Sequence, residues 1–90
     1  CVIPFDTEEE AIKLANTTSF GLSAGVYTND ASRAFRVARA LRTGTVGINS
    51  MFVSPPTVPF GGYKESGLGK EGGRMGFDGY LETKTICVPL

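Results

Sequence analysis

The 90-residue chain contains no histidine, only two cysteines and no excess of either charge, and each shortage closes a class of function. Without histidine, the commonest metal ligand and the commonest general base are missing from these residues. Cys1 and Cys87 stand at opposite ends, with neither a C-x-x-C spacing nor the density of a disulfide framework, which points to a reducing, cytoplasmic setting. Nine basic residues balance nine acidic ones, so the surplus of positive charge that nucleic acid demands is lacking, and no nucleic-acid partner is expected. The longest apolar runs are far too short to cross a bilayer, so no membrane partner is expected either. A cleaved targeting peptide ahead of Cys1 would allow the mitochondrial matrix instead of the cytoplasm.

Ninety residues make at most one small domain, marginal in stability unless something else covers it. The chain opens on Cys1-Val2-Ile3-Pro4-Phe5, without an initiator Met or a polar lead-in. It therefore reads as the C-terminal piece of a larger protein, beginning on a strand whose neighbours lie upstream and whose two apolar faces suit a helix-covered parallel sheet.

Helix and strand patterns then alternate. Thr7 ahead of Glu8, Glu9 and Glu10 has the form of a capping box, predicting a helix to about Asn16 with Ile12 and Ala15 on its apolar stripe. Asn16-Thr17-Thr18 matches a glycosylation sequon, but the compartment favours a plain helix end. Leu22 to Thr28 reads as a strand. Asn29 or Asp30 caps a second helix with Ala31, Ala34, Phe35, Ala38 and Leu41 on one face, and Gly44 is placed as its left-handed C-cap. Arg33, Arg36, Arg39 and Arg42 take the other side, which in a neutral chain reads as a solvated face before it reads as a phosphate contact. Thr45 to Asn49 is a third strand. Two crossover units make these strands parallel, and in open parallel sheets ligands bind beyond the carboxyl ends of the strands.

From that end leaves the stretch Asn49 to Gly73, with three prolines, the Gly61-Gly62 pair and the Gly67-Leu68-Gly69 turn set around Phe60, Lys64 and Ser66. It lacks the apolar periodicity of a helix or a central strand and is too aromatic for disorder, so it reads as a functional loop. Glu71 to about Leu81 is predicted helical, with Met75, Phe77 and Tyr80 as candidates for burial and four glycines weakening it by roughly 1 kcal/mol each. Thr83 to Val88 alternates polar and apolar residues as a terminal strand, an exposed edge in need of a partner.

Gly67 to Gly72 also satisfies G-x-G-x-x-G. A dinucleotide fingerprint must directly follow a hydrophobic strand, which Pro-Phe-Gly-Gly-Tyr-Lys-Glu-Ser is not, and Glu82 comes too soon to hold a ribose. Position 64 is Lys where a Walker P-loop would need its first glycine.

Taken whole, P-F-G-G-Y-K-E-S-G-L-G-K-E-G resembles the C-terminal signature of the NAD(P)-dependent aldehyde dehydrogenase superfamily. P-F-D-T-E-E-E-A-I-K-L-A-N, G-L-S-A-G-V-Y-T-N-D and G-T-V-G-I-N are similar to family segments in the same order, and G-F-D-G-Y-L-E-T-K-T-I-C-V resembles the ending of succinate-semialdehyde dehydrogenases. The resemblance implies oxidation of a small-molecule aldehyde through a cysteine thiohemiacetal with NAD or NADP as hydride acceptor. The nucleophile, the catalytic glutamate and most cofactor contacts would lie upstream of Cys1. It implies an α/β fold: residues 1–81 as the C-terminal part of a doubly wound parallel-sheet catalytic domain (βαβαβ, long loop, helix), and 82–90 as an oligomerisation strand. A homodimer or homotetramer would form through residues 83–88. Phe60 matches an aromatic lining the substrate pocket, Phe52, Val53 and Ser54 fall where the pocket mouth is shaped, and Lys64 and Ser66 match residues that hold the loop through hydrogen bonds to carbonyls. Asn49 would tie the loop's start to neighbouring backbone, and both cysteines would be structural. Two other readings stay open: a non-catalytic interaction module using the edge strand, and a phosphate-binding domain using Gly67 to Gly72.

Ser54 could donate to a polar group at the substrate's far end. Ser54→Ala is then expected to raise KM for succinate semialdehyde more than for an unbranched alkanal, and steady-state kinetics showing equal effects would remove the idea.

Overall fold

The computed structural model describes residues 1–51 and 54–89. Helix α1 (Glu8–Ala15) is started by the predicted cap: Thr7 Oγ1 accepts from the Glu10 amide at 3.1 Å. Glu10 reaches back to the Asp6 amide at 2.9 Å, one residue before the position a standard capping box would serve. Strand β1 (Phe20–Gly21) precedes β2 (Ser23–Val26); helix α2 (Ala31–Ala40) is capped by Asp30, whose carboxylate accepts from the Arg33 amide, and leads to β3 (Thr45–Ile48). Strand β4 (Tyr63–Lys64) and a 3-10 helix (Arg74–Tyr80) come next.

The α/β core is one parallel crossover. β2 and β3 pair in parallel from Ser23↔Thr45 to Val26↔Ile48, and the ladder continues at both ends through Gly44 N–H to Gly21 O and Asn49 N–H to Val26 O. Helix α2 connects the two strands and packs on both and on α1. Only Ala34 among the described apolar side chains is fully buried, at 2% exposed. A second, antiparallel pair joins β1 to β4, with Phe20↔Lys64 and Gly21↔Tyr63. That pair brings the long loop back onto the front of the chain.

Several expectations are corrected. Residues 1–5 form no strand: among the described residues nothing pairs with their backbone, and Val2 is 97% exposed. Residues 83–88 likewise form no strand, because an edge becomes a strand only when another backbone satisfies it. The predicted helix after the loop is a 3-10 helix shorter than expected, and Met75, Phe77 and Tyr80 are exposed. Glycines at 76 and 79 weaken an α-helix, and no packed apolar face compensates here. Phe35 is also exposed, away from the face that buries Ala34. Gly44 is not the C-cap of α2, which ends at Leu41 in extended backbone.

A compact domain of this length has a radius of gyration of about 12 Å. This chain has 17.6 Å and is 65 Å long, so its terminal segments extend away from the α/β core. An open apolar concavity between α1, β2 and α2, lined by Phe5, Ile12, Val26, Val37 and Leu41, is left without a filling side chain from the described residues.

The arginine face of α2 is partly paired. Arg36 grips both oxygens of Glu8, Nε to Oε1 at 2.6 Å and Nη2 to Oε2 at 2.8 Å, while Arg33 Nε lies 3.2 Å from Oε2. The Arg36 hydrogen bond holds the Glu8 carboxyl below the ordinary glutamate range. Its contribution to stability is thus complete above the unfolded-state pKa and lost as pH falls through the lowered one. In acid titration of the thermal midpoint, the parent protein is expected to lose more stability through that window than Glu8→Gln; parallel curves would mean that the ion pair contributes nothing.

Candidate functional site

The loop starts where β3 ends, and asparagine makes the turn. Asn49 has φ 51°, a left-handed conformation that Asn tolerates better than most residues. Its carboxamide accepts from the Thr28 amide at 2.9 Å and donates to the Thr28 carbonyl at 2.8 Å, replacing the next rung of the β2–β3 ladder. Pro55 and Pro56 then lie in a tight turn closed by Val58 N–H to Pro55 O at 3.0 Å, and the Pro56 carbonyl accepts from Gly73 at 2.8 Å. Phe60 and Glu71 form an isolated antiparallel bridge, amide to carbonyl in both directions at 2.7 and 2.8 Å. The segment from 60 to 71 is therefore a closed lobe.

Lysines and a serine fasten that lobe to the fold. Lys64 Nζ donates to the carbonyls of Asn16 and Thr18 at 2.9 and 3.0 Å, placing a cation at the negative end of α1. Ser66 Oγ accepts from the Gly21 amide at 2.9 Å; it serves an N–H, not the carbonyl expected of it. Lys70 Nζ donates to Gly61 O at 3.0 Å and Gly62 O at 3.1 Å, and sits 5.1 Å from the centroid of the Tyr63 ring. Gly44 is where the lobe meets the sheet. A Cβ there would overlap Gly61 O, so a side chain at position 44 would push the lobe away.

Of the residues singled out for the substrate pocket, Phe60 is half-buried at the bridge and Ser54 is exposed before the proline turn. Phe52 and Val53 lie outside the described residues. Sequence reading missed three structural residues. Lys70 was absorbed into the G-x-G-x-x-G string. Gly44 looked like a helix cap because it follows a helix. Asn16 looked like a helix end, yet its side chain donates to Ala40 O at 2.9 Å and accepts from the Arg42 amide at 2.8 Å, joining the ends of the two helices. The same bonds occupy the amide nitrogen that glycosylation of the sequon would need.

The side chains that fasten the lobe bond backbone atoms. Cys1 and Cys87 are exposed in irregular segments, and no cluster of three metal-ligating side chains occurs among the described residues. The G-x-G-x-x-G run at 67–72 does not sit between a strand and an α-helix. Gly67 follows a turn instead of a strand, Glu71 sits in the bridge to Phe60, and the next helical residue is Arg74 of a short 3-10 helix.

The Aldehyde dehydrogenase family profile matches residues 1–86. The chain belongs to the aldehyde dehydrogenase family. The 4-trimethylaminobutyraldehyde dehydrogenase of Oryzias latipes is 55% identical over 87 residues, which are 97% of this chain and 17% of that protein. Among solved structures, the NAD+ complex of an aldehyde dehydrogenase from Bacillus cereus superposes with a TM-score of 0.85 at 46% identity, covering 89% of this chain and 16% of that one. A succinate-semialdehyde dehydrogenase from Burkholderia pseudomallei gives 0.79 at 53% identity, covering 84% and 16%. The chain thus spans about a sixth of the length of the relatives it matches.

Gly44→Ala is expected to lower the unfolding free energy by about 1–3 kcal/mol, as overpacking of a tight contact does. Urea denaturation should show this as a lower midpoint at unchanged slope, and an unchanged midpoint would mean that the Gly61 backbone can withdraw.

Proposed function

We propose that these residues are the C-terminal part of an NAD(P)-dependent aldehyde dehydrogenase that oxidises an aldehyde to a carboxylic acid through a cysteine thiohemiacetal. One observation carries the reading: an unbroken family match over residues 1–86 that accounts for only 17% of a relative's length. The nucleophilic cysteine, the catalytic glutamate and the NAD or NADP site belong to residues beyond these 90. Residues 1–81 complete a doubly wound catalytic domain, whose missing neighbours cover the α1–β2–α2 concavity and the segment 1–5. Residues 82–90 pair with another subunit through 83–88 in a homodimer or homotetramer. Exposed apolar side chains support this, with Ile86 78% and Tyr80 90% exposed, since soluble proteins seldom leave extended apolar surface uncovered. No described helix is long and apolar enough to cross a membrane, and the cytoplasm is the proposed location.

In this reading Phe60, with Phe52, Val53 and Ser54, walls the substrate pocket and keeps water from the acyl intermediate. The stretch from Ser50 to Phe60 contains no charged residue. It offers a carboxylate tail only hydroxyls, but it offers a quaternary ammonium the faces of two phenylalanines. That favours 4-trimethylaminobutyraldehyde, the compound for which the Oryzias latipes relative is named, over succinate semialdehyde as the first substrate to try.

The test is aldehyde-dependent reduction of NAD+ or NADP+ by the intact polypeptide purified from its source, with those two aldehydes and an unbranched alkanal. Phe60→Leu is expected to raise KM for the preferred aldehyde about tenfold, the scale of a lost apolar contact in a pocket. A polypeptide of 9.5 kDa without turnover would replace the enzyme reading with an interaction module built on the 83–88 edge.

A further inference from the structure

We infer that Gly72 and Gly73 are the positioning residues for the mouth of the substrate pocket: because neither carries a side chain, residues 56–59 lie against their backbone, and that contact sets where Ser54 stands. The inference rests on the pocket reading proposed for Phe60 and Ser54. Both glycines are left-handed, with φ 72° and 56°, and Gly73 at ψ −169° occupies a region essentially confined to glycine. A left-handed turn alone does not account for the pair. Asn49 and Lys64 make such turns in this chain with side chains attached, and at Gly67 (φ 134°) an added Cβ would meet open space. What sets positions 72 and 73 apart is the contact.

A Cβ on residue 72 would stand 2.7 Å from Val58 O, and one on residue 73 would stand 3.0 Å from Thr57 O and 3.1 Å from Pro59 Cδ. These are backbone atoms and a closed ring, which cannot swing aside as the tip of a long side chain does. The Gly73 amide also donates to Pro56 O at 2.8 Å. The glycine pair is itself held on both sides, by the Glu71 bridge before it and by the Gly76 amide, which donates to Gly72 O at 3.0 Å, after it. A side chain at 72 would therefore displace the proline turn. That turn is closed within itself by Val58 N–H to Pro55 O, so it shifts as a unit, and Ser54 is joined to it directly with no bond of its own among the described residues. The last glycine of the G-x-G-x-x-G run thus has a role that needs no phosphate.

The experiment compares Gly72→Ala with Gly69→Ala in the intact enzyme, measuring KM and kcat for a long-chain and a two-carbon aldehyde. Gly72→Ala is expected to raise KM for the long-chain aldehyde about tenfold and to leave kcat and the two-carbon aldehyde nearly unchanged. Gly69→Ala, whose Cβ would meet nothing within 4 Å, should match the parent with both aldehydes. Three outcomes would overturn the positioning role alone: equal losses for the two aldehydes, an equal effect of Gly69→Ala, or parental kinetics for Gly72→Ala beside a clear effect of Phe60→Leu or Ser54→Ala. Parental KM in both Phe60→Leu and Ser54→Ala would overturn the pocket reading and this inference together. If Gly72→Ala does not fold, hydrogen exchange in the parent enzyme decides. The long-chain carboxylic acid product is then expected to slow exchange at the Gly73 amide and the two-carbon acid to leave it unchanged, whereas no difference between the two acids would overturn the role.

Discussion

Lys64 ties the chain together, and most of the lobe's placement depends on it. Its ammonium lies just past the C-terminal end of α1, bonded to the carbonyls of the C-cap Asn16 and of Thr18 two residues further on. Asn16, which supplies one of those carbonyls, also bonds Ala40 and Arg42 at the end of α2. A few side chains therefore fix the two helices and the loop relative to one another. Because β4 carries Lys64, the antiparallel pairing with Phe20–Gly21 and the Ser66 bond to Gly21 close around the same point. The loop is held by charged and polar groups at its base.

The rest of the molecule shows why such fastening is needed. Hydrophobic burial gives little: Ala34 is the only fully buried apolar side chain described, and aromatic residues such as Phe77 and Tyr80 face outward. In a domain of ordinary proportions the core would position the loop. Here lysine-to-carbonyl bonds and close backbone contact do it locally, while the apolar faces await neighbours. The relatives that the chain matches are several times longer.

The lobe is fastened through backbone atoms. Lys64, Lys70, Ser66 and Gly44 act on backbone atoms, so they fix a path and not a chemistry. The stretch between Asn49 and Phe60 is anchored at its two ends, by the Asn49 carboxamide and by the bridge to Glu71. Between them the Pro55–Val58 turn and the bond from Gly73 to the Pro56 carbonyl hold its middle.

Local signals were legible where the physics is local. Thr7 and Asp30 cap their helices through atoms three residues away, and β-branched and apolar residues from Thr45 to Ile48 make a strand whose parallel pairing follows from the helix before it. Asn49 as a tie and Phe60 within a shaped loop were also readable from residue type and order. Gly44, Lys70 and Asn16 were not, because their partners stand far along the chain or across a turn, and nothing in their own neighbourhood marks them. The stretches 1–5 and 83–88 carry strand-like patterns and the glycine-rich 74–80 a helical one, yet a strand needs another backbone and a weak helix needs a packed face. The sequence by itself determined the two helix N-caps, one of the two expected crossovers and the family to which the chain belongs. Only the tertiary structure decided which lysine holds which carbonyl, since a hydrogen bond between distant segments depends on where folding has already placed both.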